Sequence, residues 1–230
     1  MYPILKILVL ATVVAGAMPV RAAAVPTAAP AASASAQALH LVDGFRSAHW
    51  DMDEAGVRSA IEHDFPAVTD AVRLIKDAAG THALALHLDR LEPGPGGAEI
   101  TYVFDVRTQR LVHVNVVWST GPAPEATERG RMARAAAQLT SYFHRQSWEP
   151  GATAQRLAPD ASFAIVFAGV DSQAEAVEVR LSGVVFERPG QPPSSPSGPA
   201  VLRVAYFASI ANDASPLAQE AATQTRASVQ

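Results

Sequence analysis

Apolar and small or polar residues alternate over residues 82–90, where Leu84, Leu86 and Leu88 are separated by Ala83, Ala85 and His87. A period of two puts successive side chains on opposite faces of a strand, so one face is predicted dry and the other partly wet. The period returns over 99–106, where Ile100, Tyr102, Phe104 and Val106 share a face. It returns again over 111–119, where Val112, Val114, Val116 and Trp118 alternate with His113 and Asn115. Turn residues Pro93-Gly94-Pro95-Gly96-Gly97 and Thr108-Gln109 separate these runs, which predicts an antiparallel meander. A second set follows, with Phe163, Ile165 and Phe167, then Val177, Val179 and Leu181, then Leu202, Val204 and Tyr206 in alternation. Residues 188–200 are too rich in Pro and Gly to continue a strand and read as a projecting hairpin loop.

Helical spacing precedes each set. Asp53 is placed to cap a helix, Met52 and Val57 stand at the spacing of a hydrophobic staple, and Val57, Ala60 and Ile61 recur on one face until Pro66. Val68, Val72 and Ile75, followed by Gly80, predict a second helix over 68–79. A longer helix over 124–146 has the stripe Met132, Ala135, Ala136, Leu139, Tyr142 and Phe143. Glu125 and Glu128 lie in its first turns and His144 and Arg145 in its last, as the helix dipole favours. The predicted class is therefore α+β, antiparallel, with helices on one face. Two helix-plus-three-strand repeats and one six-stranded sheet satisfy the pattern equally.

The ends of the chain read differently. Lys6, the apolar run 7–20 and the small residues Ala22-Ala23-Ala24 have the layout of a signal peptide, too short to span a bilayer comfortably. The expected organisation is a leader over 1–22, an Ala/Pro/Ser spacer over 23–37, an α+β domain over 38–212 with possible halves 38–120 and 121–212, and a flexible tail over 213–230. Export to the periplasm or beyond is implied, with no transmembrane span left after cleavage. The chain has no cysteine, so neither disulfides nor lipidation of a cysteine apply, and cohesion must come from the core. Loss of the leader removes Lys6 and Arg21 and no acid, taking the net charge from −4 to −6. With Lys76 the one remaining lysine and the arginines scattered, nucleic acid is not an expected partner.

The stretch His49-Trp50-Asp51-Met52-Asp53-Glu54-Ala55-Gly56-Val57 resembles the helix-start pattern G-M-[ST]-x-x-[EQ]-V of the small outer-membrane assembly lipoproteins of the SmpA/OmlA type and of the related β-lactamase-inhibitor-like fold. Met52 and Val57 match, and Asp53 stands for Ser or Thr with equivalent capping chemistry. Asp51 replaces the family's Gly and Gly56 its Glu or Gln, so the capping box is lost. The match covers about ten residues of 230. The resemblance implies two helices ahead of a three-stranded antiparallel sheet, in a domain that binds other proteins.

No motif marks an active site. The chain lacks G-x-S-x-G, H-E-x-x-H and a Walker loop, and the glycines at 94–97 read as a turn. Among the seven histidines, His82 and His87 fall on opposite strand faces, His63 and His144 on different helices, and His40 at the domain edge. His49 and Asp51 could chelate, but a metal site usually needs three or four protein ligands, so no metal and no cofactor are expected. Glu62, Asp64, Asp105 and Glu178 could supply an acid/base pair, yet nothing in the sequence brings two of them together.

The expectation is thus a non-enzymatic envelope protein that binds another envelope protein. Its surface would use His87, His113 and Asn115 on the wetter sheet face, with Trp50 and Trp148 at helix borders as anchors. The alternatives are a small-molecule carrier with an apolar pocket between sheet and helix, and a hydrolase with dispersed residues.

Overall fold

The computed structural model describes residues 38–76, 82–187, 190 and 196–209. The predicted leader, spacer and tail lie outside these residues, as does most of the 188–200 loop.

Local capping chemistry sets the helices. Asp53 accepts a hydrogen bond from the Gly56 amide at 2.9 Å, opening α1 (Glu54–Asp64), whose Val57, Ala60 and Ile61 are buried. Glu125 and Glu128 form a capping box at the start of α2 (Ala126–His144). Of the stripe predicted for α2, Met132, Ala135, Ala136 and Phe143 are buried and Leu139 packs on the core, but Tyr142 is exposed.

The strands, in chain order, are β1 (Gly44–Phe45), β2 (Ala48–His49), β3 (Arg73–Lys76), β4 (His82–Leu88), β5 (Ala98–Phe104), β6 (Leu111–Ser119), β7 (Thr153–Leu157), β8 (Phe163–Val170), β9 (Ala176–Ser182) and β10 (Val201–Phe207). β1 and β2 form a small hairpin. The other eight form one antiparallel sheet in the order β3-β4-β5-β6-β10-β9-β8-β7. Each helix thus precedes a four-stranded meander, and the two meanders meet along β6 and β10.

Several expectations need correction. The helix expected over 68–79 is instead a 3-10 turn over Pro66–Ala71 followed by β3, whose residues pair Leu74 with Leu84 and Ile75 with Ala83. The unpaired edge of β4 decides the outcome, because pairing satisfies a row of backbone groups that an isolated helical stripe does not. β7, a polar edge strand (TAQRL), carries no alternation to announce it. β5 stops at Phe104. Asp105 then accepts from the amides of Arg107 and Thr108 to close the turn, which leaves Val106 exposed.

Two bulges also shift faces. Val112 is the extra residue opposite Val103/Phe104, so Leu111 rather than Val112 joins the dry face. Val166 is the extra residue in β8, so Ile165 pairs with Arg180 while Phe167 pairs with Val179. Ile165 and Phe167 therefore point to opposite faces.

The main core lies between the sheet and the helices. Leu84, Leu86, Ile100, Tyr102, Phe104, Val114, Val116, Val179, Leu202 and Val204 meet Val57, Ile61, Met132 and Phe143 there. Segment 40–52 ties the halves together. The His40 amide donates to the Ser147 carbonyl, the Val42 amide to Asp171 Oδ2 at 2.8 Å, and the Asp51 amide to the Leu111 carbonyl. Asp171 also accepts from the amides of Gln173 and Glu175, closing the β8–β9 turn.

Burial, reinforced by the Asp171 charge and a hydrogen bond to it, pushes the Glu175 carboxyl up to about 7 from the ordinary 4.5. The protonated form therefore stabilises the fold fully below pH 4.5, and that contribution disappears as the pH rises through 7. Glu175→Gln is expected to leave the melting temperature unchanged in acid and to raise it by a few degrees at about pH 8, the effect being limited by solvent screening of a half-buried group. Parallel pH–melting profiles for the two proteins would refute this.

Candidate functional site on the sheet face away from the helices

Strand pairing places polar side chains in rows across the face opposite the helices. One row runs His87, Glu99, Val117, Arg203, Arg180 and Ile165 from β4 to β8, in register. The next runs Ala85, Thr101, Asn115, Ala205, Glu178 and Ala168, and a third contains Val103, His113, Phe207 and Ala176. The alternation that buries Val177, Val179 and Leu181 against the helices is what sends Glu178 and Arg180 to this face.

His87, His113 and Asn115 do share the face, as the alternation expects. His113 stacks on Phe207 with ring centroids 4.5 Å apart and planes at 19°. Asn115 Oδ1 accepts from Arg203 Nε at 2.6 Å. His87 is exposed near the rim, and Glu99 beside it is paired with Arg73 at 2.6 Å. Arg180 lies over the Phe163 ring, 3.6 Å from its centroid, a cation–π contact that fixes the guanidinium.

Trp50 and Trp148 are not brought to this face. Both are half-buried and pack on the helix-side core. The Trp50 indole donates to the Val42 carbonyl, and the Trp148 indole to the Phe143 carbonyl at 2.8 Å. Trp148 sits against Gly169, where a Cβ would come within 2.7 Å of Cη2, so the glycine makes room for the ring.

Glu178, named from sequence as one of four carboxylates, is the one buried in this face. It is 4 % exposed, and its Oε2 is sealed from solvent without a hydrogen-bond donor. Small apolar clusters flank it, Val170, Ala176, Ala205 and Phe207 on one side and Ile165 and Ala168 on the other. Burial lowers the pKa of the nearby Arg203 guanidinium, opposed by the Glu178 charge and helped by that of Arg180, so the three groups share one electrostatic environment.

The other carboxylates named from sequence do not join it. Asp64 accepts from the Ser47 amide and hydroxyl, Asp105 closes its turn, and Glu62 is exposed on α1. Among the described residues no three of His, Asp and Glu converge as metal ligands, and no helix is long and apolar enough to cross a membrane. On the helix side, a groove of about 570 Å3 lies between α2 and β7–β9, lined by Ala133, Ala137, Ser141, Leu157, Val166 and Leu181.

Fold and face define an α+β protein with an eight-stranded antiparallel sheet beside the small β1–β2 hairpin, helices packed on one side of the large sheet and an array of polar and aromatic side chains on the other. Comparison with known protein families, with curated proteins and with solved structures finds no match.

Proposed function

We propose that the chain is an exported, non-enzymatic cell-envelope protein that binds another envelope protein through the sheet face away from its helices. The leader layout supports export. The observation that supports binding is the array on that face, where arginines held by Asn115 and Phe163, a stacked His113–Phe207 pair and the buried Glu178 lie side by side in register. Arginine and aromatic groups of this kind carry much of the energy of protein interfaces.

A photo-crosslinking residue at Val117, half-buried in the middle of the face, is expected to give a discrete adduct in envelope preparations. The same probe at Arg134, exposed on α2, is expected to give none. An adduct from Arg134 alone, or from neither, overturns the reading.

The groove beside α2 favours a second reading, a carrier of a small apolar molecule, because its volume falls in the range of ligand sites. Ala137→Trp would fill the groove. Loss of a bound fluorescent apolar probe in that variant, with the Val117 adduct absent, would favour the carrier.

A further inference from the structure

We propose that Glu178, Arg203 and Arg180 form a subsite for a small zwitterion, of which a free α-amino acid is the simplest. The inference rests on the reading of this face as a recognition surface and names the ligand chemistry of one part of it.

A buried carboxylate oxygen without a donor is costly, and native proteins leave few such groups unmatched. The surroundings of Glu178 explain why nothing in the fold supplies the match. Its cross-strand neighbours are Ala205 and Ala168, and Ala176 precedes it on the same face; all three are buried and none has a side-chain donor.

Donors stand on the remaining sides. Arg180 follows Glu178 two residues on, and Arg203 is its diagonal neighbour on β10. Neither closes an ion pair with it: Arg203 donates its Nε to Asn115, and Arg180 is held on the Phe163 ring. Both guanidiniums therefore keep N–H groups for something else. Each has five donors in a fork that fits a carboxylate.

Charge decides the ligand class. A simple cation would satisfy Glu178 but meet two positive groups, and a simple anion would suit the arginines but leave Glu178 unmatched. A molecule with an ammonium and a carboxylate on neighbouring atoms answers both. Diagonal neighbours on a sheet are roughly 7–8 Å apart, a gap that such a molecule spans with a hydrogen bond at each end. Because Oε2 has no solvent contact, entry requires side chains to move. Arg203 and Arg180 are each held by one side-chain contact, which an entering ligand would have to replace.

The test is a melting-temperature screen of the purified mature chain against the common L-amino acids at neutral pH, followed by calorimetric titration of any that stabilises it. The N-acetyl and C-amide derivatives of that amino acid each lack one of the two charges. The expected result is that at least one free amino acid raises the melting temperature and that each derivative binds at least about tenfold more weakly. Glu178→Gln and Arg203→Met are each expected to weaken the free amino acid by a similar factor. The inference is overturned if no free amino acid binds, if the N-acetyl form binds as tightly as the free one, or if Glu178→Gln binds unchanged. Should a variant not fold, the blocked derivatives decide the matter on the unaltered protein. A Val117 adduct together with no response to any amino acid would leave the recognition surface standing and overturn the subsite alone.

Discussion

Replacing Phe167 with alanine is expected to destabilise the fold by about 3–5 kcal/mol, the range for truncating a fully buried phenylalanine. Phe167 has no exposed surface. Its ring stacks on Phe143 at 5.2 Å and meets Trp148 at 5.6 Å and His144 at 5.1 Å, so alanine would open a cavity where β8 joins the end of α2. For a domain of this size that loss corresponds to a fall in melting temperature of about 10–15 °C. Phe163→Ala provides the contrast. Phe163 lies beyond the Val166 bulge on the far face and loses mainly its contact with Arg180, so its cost is expected to be about 1 kcal/mol. Equal losses in thermal or denaturant unfolding would mean that the bulge does not divide the two rings.

Asp171→Ala should have the next largest effect, about 3 kcal/mol. One buried carboxylate there accepts from three backbone amides, those of Val42, Gln173 and Glu175, and charge-assisted bonds of this kind are worth roughly twice a neutral one. The Val42 bond spans 129 positions of sequence, so the substitution would loosen both the β8–β9 turn and the segment leading into β1. It would also remove the charge that helps to raise Glu175, so the stability of the variant should depend less on pH between 4.5 and 7 than that of the parent. Denaturant midpoints measured at both ends of that interval check the two effects together. A midpoint within experimental error of the parent at each pH would sink both.

What the sequence revealed follows the range of the interaction involved. Asp53 acts within three residues and Glu125 and Glu128 lie in a first turn, so the helix starts were legible from residue type and spacing, the first as a cap and the second as acids at the positive end of the helix dipole; the capping box that Glu125 and Glu128 form is a finding of the structure. The alternation in β4, β5, β6, β9 and β10 was legible because each has one face against a single dry core. β3 and β7 were not, because an edge strand is defined by what it pairs with. Arg73–Lys76 is exposed throughout, and the spacing of Val68, Val72 and Ile75 imitates a helix. The bulges at Val112 and Val166 arise from register with the neighbouring strand, which no local pattern encodes.

The candidate site divides in the same way. His87, His113 and Asn115 could be placed on one face by counting residues in twos. The placement of Glu178 opposite Val177 and Val179 was readable by the same count, whereas its burial depends on Ala205 and Ala168 lying beside it on β10 and β8. Trp50 and Trp148 have the exposed flanking positions expected of anchors in sequence, but their indoles are turned into the helix-side core by Val42, Phe143 and Gly169.

The junction of β6 and β10 has a consequence for how this chain avoids its own copies. Seven residue pairs, from Val201↔Ser119 to Phe207↔His113, hold the two meanders together. A β6 without its β10 would present a long, apolar strand edge that a neighbouring molecule could extend. What prevents this is effective concentration. The connection through α2 keeps β10 on the same molecule as β6, and the reciprocal bonds between Thr120 and Ala200 fix the end of the junction where that connection begins. Closure within one chain is therefore a unimolecular event that outpaces capture by a second chain at ordinary concentrations. Shortening the link at 121–125 until it can no longer close within one molecule would remove that advantage and turn the same seven pairs into the basis of an exchanged dimer.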